Sequence, residues 1–410
     1  MLYTLVMIVI FRLGTFIPVP GLDASVLKGL VEGSENSLFG LLDAFSGGSF
    51  GNATIFAMSI TPYINSSIIL QLLTVAIPAL ERLAKEGEEG RKVIAKWTRY
   101  VTVILAFIQA TGLYFGLRNA VENPGFLSYV TIVATFTAGT AFLMWLGEQI
   151  TEKGIGNGIS IIIFAGIVSG VPGMVNDMYQ NFMNGSLNIW GMIGIVIFIL
   201  AMIAFVVFIN DAERRIPVQY AKRMVGRKMY GGQSTHIPIK VNMSGVLPVI
   251  FASSILSVPP TVQMFLSEEK VEKFASFFGV FTTSHWFYSV MYFVLILFFA
   301  YFYASIQYNP VEMANNIRKN SGMIPGLRPG KPTADYIKKI LGRITLLGAL
   351  LLSVVALFPN MITLFTNLIG SPLMLSLGGT SLIIVVGVAL ETVKQLESQM
   401  MMRHYKGFLD

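Results

Sequence analysis

The chain has 410 residues, of which 54% are hydrophobic and only 12% charged, with a formal net charge of +7. Soluble domains carry roughly 25% charged residues, so a water-soluble globular protein is excluded. With no cysteine in the chain, disulfides, thiolate catalysts and cysteine-held metals are excluded as well. The apolar residues form continuous blocks near the roughly 20 residues one helix needs to cross the hydrocarbon layer. They lack the short alternating strands of an outer-membrane barrel. A polytopic α-helical membrane protein is expected.

Ten spans are predicted, at 2–19, 52–76, 100–117, 127–147, 159–175, 189–209, 244–266, 286–306, 344–365 and 373–390. The first has Arg12 in its middle, with no Lys or Arg ahead of it and no small-residue cleavage site behind it. It therefore reads as a mature span rather than a signal peptide. An intramembrane Arg is more often a structural anchor than a relay, because its long side chain can reach toward water.

Between the first two spans lies an apolar stretch, Leu38 to Phe50, too short to cross and ending near Gly47 and Gly48. It reads as a re-entrant segment packed in protein. An amphipathic helix resting on the outer interface accounts for the composition equally well.

The second and seventh spans are the least apolar, carrying Asn65, Ser66, Ser67 and Gln71, or Ser253, Ser254 and Ser257 with two prolines. Each is the second member of a group of five. Five spans per group force the groups into opposite orientations, and such a matched pair marks a pathway between inverted repeats. The expected units are 1–175, 189–393 and a tail at 394–410.

Basic residues set the orientation. The segments after spans two, four, six, eight and ten hold 24 of the 29 Lys and Arg, against four on the other side and Arg12 within a span. Both termini are expected in the cytoplasm. Two of the basic segments are long, at about 210–243 and 309–343. Topology signalling and attraction to anionic lipid would explain their charge. Their length and their Pro, Gly and Tyr content suit docking of a cytosolic machine.

Signs of catalysis are lacking: His236, His285 and His404 fall in loops or the tail, without metal spacing or a phosphate loop. No enzyme activity and no cofactor is expected. The spans are also poor in ionisable residues, which weakens an ion-coupled solute transporter built on five-plus-five inverted repeats, though that reading stays open as the alternative.

Several motifs carry a resemblance. They are Phe45-Ser46-Gly47-Gly48, the run Met144 to Ser160 (MWLGEQITEKGIGNGIS), and Arg214-Arg215-Ile216-Pro217 through Lys222-Arg223. To these add Gln233 to Pro238 (QSTHIP), Ile324 to Gly330 (IPGLRPG) and Leu377 to Ser381 (LGGTS). Together they resemble the bacterial SecY family from the first span to the last, although the family's basic lead-in is absent and the tail is short.

The resemblance implies a protein-conducting channel of ten helices, two inverted halves closing as a clamshell around an hourglass pore. It implies a pore ring of Ile60, Ile64, Ile159, Ile163, Ile250 and Ile384, which such apolar side chains would seal by dewetting. It also implies a plug containing Asp43, Phe45, Ser46, Gly47 and Gly48. A lateral gate is expected along the second and seventh spans, together with the third and eighth. Asn65, Ser67 and Gln71 on one wall would bridge to Asn242, Ser253 and Ser254 near the other, a pairing inferred beyond the motif. The implied partners are SecE and SecG subunits, the SecA motor ATPase and the ribosome, docking through Arg214, Arg215, Tyr220, Lys222 and above all Arg328. Secretory polypeptides with signal sequences would be the substrates, in a bacterial cell membrane whose lipids surround the channel.

Overall fold

The computed structural model describes residues 1–32, 43, 46–185, 189–220, 223–225, 228–230, 234–263, 275–281, 285–369 and 379–406. Helices dominate: α1 (Leu2–Gly14), α2 (Ala24–Glu32), α3 (Thr61–Ala76), α4 (Pro78–Lys85), α5 (Glu88–Gly116), α6 (Phe126–Lys153), α7 (Gly158–Met183) and α8 (Ile189–Asp211). Then follow α9 (Leu247–Leu256), α10 (Val258–Gln263), α11 (Ala275–Val280), α12 (Trp286–Gln307), α13 (Pro310–Lys319), α14 (Lys331–Ile369) and α15 (Gly379–Lys406).

Each of the ten predicted spans meets one of these helices, but the count of full spans differs. Among the described residues six helices are long and apolar enough to cross a membrane, α5, α6, α7, α8, α12 and α14, or seven if α3 and α4 count as one span bent by 102°. The bend follows from Pro78, since a residue before proline is pushed out of the α region; Ile77 is extended, at φ −108° and ψ 113°. Two further segments, Leu2–Gly14 and Leu247–Gln263, are apolar but short. At 1.5 Å per residue, the 13 residues of α1 rise only about 20 Å, less than the roughly 30 Å of hydrocarbon.

Sequence punctuation explains several boundaries. The Asn157 side chain caps α7 by accepting from the amides of Ile159 and Ser160. Asn309 does the same for α13, with Pro310 in the first turn. Both use orphan amides that every helix start leaves. In α8 the apolar residues run all round the helix, and Trp190, Ile197, Leu200 and Phe208 are exposed. A helix greasy on every side belongs in lipid.

Four apolar clusters organise the packing. One draws on α8, α9, α12, α14 and α15, including Val206, Phe251, Ile296, Val355 and Ile383, with Ile68 from α3. A second joins Val19 and Leu22 with the Phe50 to Met58 stretch, α5 and α6. A third, described with the site below, lies where α1, α3, α6, α7, α9 and α15 meet.

The fourth cluster joins the two long basic segments to the start of α14. The two long basic segments fold together around a small sheet of β1 (Glu213–Tyr220), β4 (Ser234–Lys240) and β5 (Gly322–Met323), in the order β4-β1-β5. Two short strands, β2 (Arg223–Val225) and β3 (Lys228–Tyr230), pair with each other as a separate sheet. In β1, Ile216 and Val218 are buried while Arg215, Pro217 and Gln219 face out, the two-residue alternation of a half-buried strand. This sheet was not expected in an all-helical chain. Ile317 of α13 and Ile337 and Leu341 of α14 complete its core.

Candidate functional site

All six predicted ring residues come together. Ile60, Ile163 and Ile384 are buried in the third cluster, with Ile64, Ile159 and Ile250 packed against it. They arrive on four helices. Ile60 caps α3 and accepts the Ile64 amide at 3.1 Å, so the two share one helix face.

Ile159 and Ile163 are aimed by the tight α6 to α7 turn. There Gly156 has φ +82°, which favours glycine, and the Gly158 amide donates to Thr151 Oγ1 at 2.9 Å. A Cβ on Gly158 would lie only 1.9 Å from the Gly147 carbonyl oxygen. The glycine-rich run between Met144 and Ser160 is thus a close backbone crossing that sets the angle of α7.

Ile250 stands in the first turn of α9, and α15 approaches it closely. A Cβ on Gly387 would be 2.4 Å from Val246 Cγ2. That approach brings Ile384 of α15 into the same cluster as Ile250.

The predicted plug residues that are described form a self-bonded knot. The Gly48 amide donates to the Asp43 carbonyl at 3.0 Å, and the Gly51 amide donates to Asp43 Oδ1 at 2.7 Å. Ser46 Oγ donates to the Asp43 carbonyl and accepts the Phe50 amide. Ser46 and Ser49 are fully buried. Phe45 lies outside the described residues.

The seam between α3 and the later helices is bridged differently from the expectation. Among the described residues, Asn65, Ser67 and Gln71 make no hydrogen bond to Asn242, Ser253 or Ser254. Ser253 Oγ returns to the Ile250 carbonyl at 2.8 Å, and the Ser254 carbonyl accepts from Ser257 Oγ. Asn242 Nδ2 donates to Asn210 Oδ1 at the end of α8, at 2.7 Å. The physical reason is reach: a serine in an apolar helix satisfies its hydroxyl on its own preceding turn. Only Gln71 bridges, accepting at Oε1 from the hydroxyl of Tyr303 on α12 at 2.8 Å, while its Nε2 donates to Ser67 Oγ at 3.4 Å. Tyr303 was not singled out in the sequence. Its signal there is only a hydroxyl among the aromatic residues of the eighth span.

Of the predicted docking residues, Arg214, Arg215 and Arg328 are exposed and Tyr220 is half-buried on the small sheet. Arg215 Nε is paired with Glu213 Oε1 at 2.7 Å. Arg328 lies in the turn between β5 and α14, where its carbonyl accepts from Thr333 Oγ1 at 2.8 Å and Gly326 and Gly330 take positive φ. The turn leaves its guanidinium free of intramolecular ion pairs among the described residues. Lys222 lies outside the described residues. No group of His, Cys, Asp or Glu among the described residues could hold a metal ion.

Comparison with known proteins gives consistent relatives. The SecY family model matches residues 54–393. The protein translocase subunit SecY of Halalkalibacterium halodurans is 48% identical, covering 100% of this chain and 96% of its own length. That of Bacillus subtilis is 46% identical, covering 100% and 95%. Among solved structures, a protein-conducting channel superposes with a TM-score of 0.67 at 18% identity, covering 98% of this chain and 92% of that one. Sec61 in the canine ribosome-channel complex gives 0.60 at 15% identity, covering 97% and 91%.

Proposed function

Because the chain belongs to the SecY family, we propose that it is a multi-pass protein-conducting channel that passes unfolded polypeptides across a bacterial cell membrane and releases hydrophobic segments sideways into lipid. The observation that carries this is the convergence of six isoleucines from four helices on one cluster. Such a collar dewets, and branched aliphatic side chains offer a passing peptide no hydrogen bonds to hold it. The ion-coupled solute transporter is not supported, since the relatives are translocase subunits.

On this reading residues 1–175 and 189–393 are the two halves, with α3 and α7 from the first facing α9 and α15 from the second. Ile60, Ile64, Ile159, Ile163, Ile250 and Ile384 form the constriction, the Asp43 to Gly48 segment is the plug, and Gln71 with Tyr303 closes the lateral seam. The basic sheet subdomain faces the cytoplasm, as the positive-inside rule requires, and takes both termini with it.

The chain itself carries no motif for ATP hydrolysis, so the driving force comes from a partner such as the SecA motor or a translating ribosome. SecE and SecG subunits would complete the assembly. Structural relatives captured with ribosomes support the ribosome as a partner. Arg328 is the coupling residue we favour, being an exposed unpaired cation on an ordered turn. In proteoliposomes with motor and ATP, Arg328→Glu is expected to abolish translocation of a secretory precursor while the purified protein keeps its heat stability. Undiminished translocation would overturn the assignment.

A further inference from the structure

Arg12 sits in the last turn of α1, a cation within an apolar span and, among the described residues, without a carboxylate within ion-pair distance. Its Nη1 donates to Ser169 Oγ of α7 at 3.1 Å and to the Gly47 carbonyl at 3.3 Å. Ser169 Oγ in turn donates to the Gly166 carbonyl at 2.6 Å and lies 3.4 Å from the same Gly47 carbonyl. The guanidinium carbon stands 5.1 Å from the Phe16 ring centre, a distance at which a cation is attracted to an aromatic face.

The Gly47 backbone is pressed into this node. Its φ is +67°, and a Cβ there would meet Ser169 Oγ at 2.5 Å and the Gly166 carbonyl oxygen at 2.7 Å. Two helices and the Asp43 to Phe50 knot thus meet at one carbonyl, joined by a charged donor. A hydrogen bond to a charged group is about twice as strong as a neutral one.

The geometry points to Arg12 as a positioning residue that latches the Gly47 segment to α7 in the resting channel. The inference rests on reading Asp43 to Gly48 as the channel's plug. A charge in an apolar span must always find polar partners, and that makes the latch reversible. When the segment leaves, Arg12 keeps Ser169, and water entering the vacated space takes the place of the Gly47 carbonyl. A neutral donor in place of Arg12 would hold the segment more weakly, while a paired carboxylate would hold Arg12 away from it.

The absence of cysteine makes a clean test available. Ser46→Cys, at a position fully buried beside the latch, is labelled in membrane vesicles by a membrane-impermeant maleimide, with no motor or substrate present. Slow labelling is expected with Arg12 intact. Arg12→Gln should speed it about tenfold, the factor given by about 1.4 kcal/mol. Gly47→Ala should match it by pushing the segment off the node, and Ser169→Ala should fall between. Heat stability measured on the same samples separates release of the latch from general unfolding. Equal labelling rates in equally stable variants overturn the latch, and should Arg12→Gln not fold, Ser169→Ala and Gly47→Ala decide it. Because the assay needs no translocation, its failure is separate from any failure of precursor transport by the parent protein.

Discussion

Single side chains at the proposed constriction and the proposed seam would act by opposite physics. On the proposed function Ile60 and Ile250 would act by excluding water, so removing their bulk would let water and ions through without breaking any bond. Ile60→Gly or Ile250→Gly is expected to raise resting ion conductance several-fold in planar bilayers. Unchanged conductance would show that these side chains do not form the seal. Tyr303 acts by a hydrogen bond. Such bonds between membrane helices are worth about 0.6 to 2 kcal/mol, small enough for the binding energy of an apolar segment to exceed. Tyr303→Phe should let less hydrophobic signal segments open the seam, read as translocation of a graded series of precursors. Gln71→Leu should have the same effect, and the double variant should add little, because both remove the same contact.

At the scale of elements, the basic subdomain is the part least like the rest of the chain. Its strands are held by a core in which Val218 is fully buried and Ile239 and Ile337 nearly so. Val218→Asp places a carboxylate there with no partner, costing about 3 kcal/mol or more. The sheet should open while the apolar helices stay inserted, so limited proteolysis should newly cleave within 210–243 and leave the spans intact. That result would also show that the apolar helices hold their insertion without the sheet's order. The α6 to α7 turn behaves differently, because its glycines are fixed by contact between backbones rather than by a side-chain core. The motif from Met144 to Ser160 could be read as a family signature from the sequence, but not as a crossing in which Gly147 and Gly158 nearly touch.

Across the whole molecule, Arg328→Glu is expected to separate two properties, stopping motor-driven transport while leaving the seal and the seam as they were. The subdomain lies outside the helical core, so a surface charge there does not reach the isoleucine cluster. The sequence by itself determined membrane class, the positions of ten apolar segments and which loops carry the basic charge, because hydropathy and charge are sums over local residues. It also supplied the six isoleucines, through family resemblance rather than spacing. Only the tertiary structure decided which polar groups meet. The predicted bridge from Asn65, Ser67 and Gln71 to Asn242, Ser253 and Ser254 failed because Ser253 bonds within its own helix and Asn242 pairs with Asn210, while the long Tyr303 side chain reached Gln71 instead. The sheet, too, needed β1 to find β4 and β5 across many residues of chain, a pairing that local pattern does not encode. Arg12 is the sharpest instance: as a letter it is a cation misplaced in an apolar run, and only the fold sets the Gly47 carbonyl and the Ser169 hydroxyl within its reach.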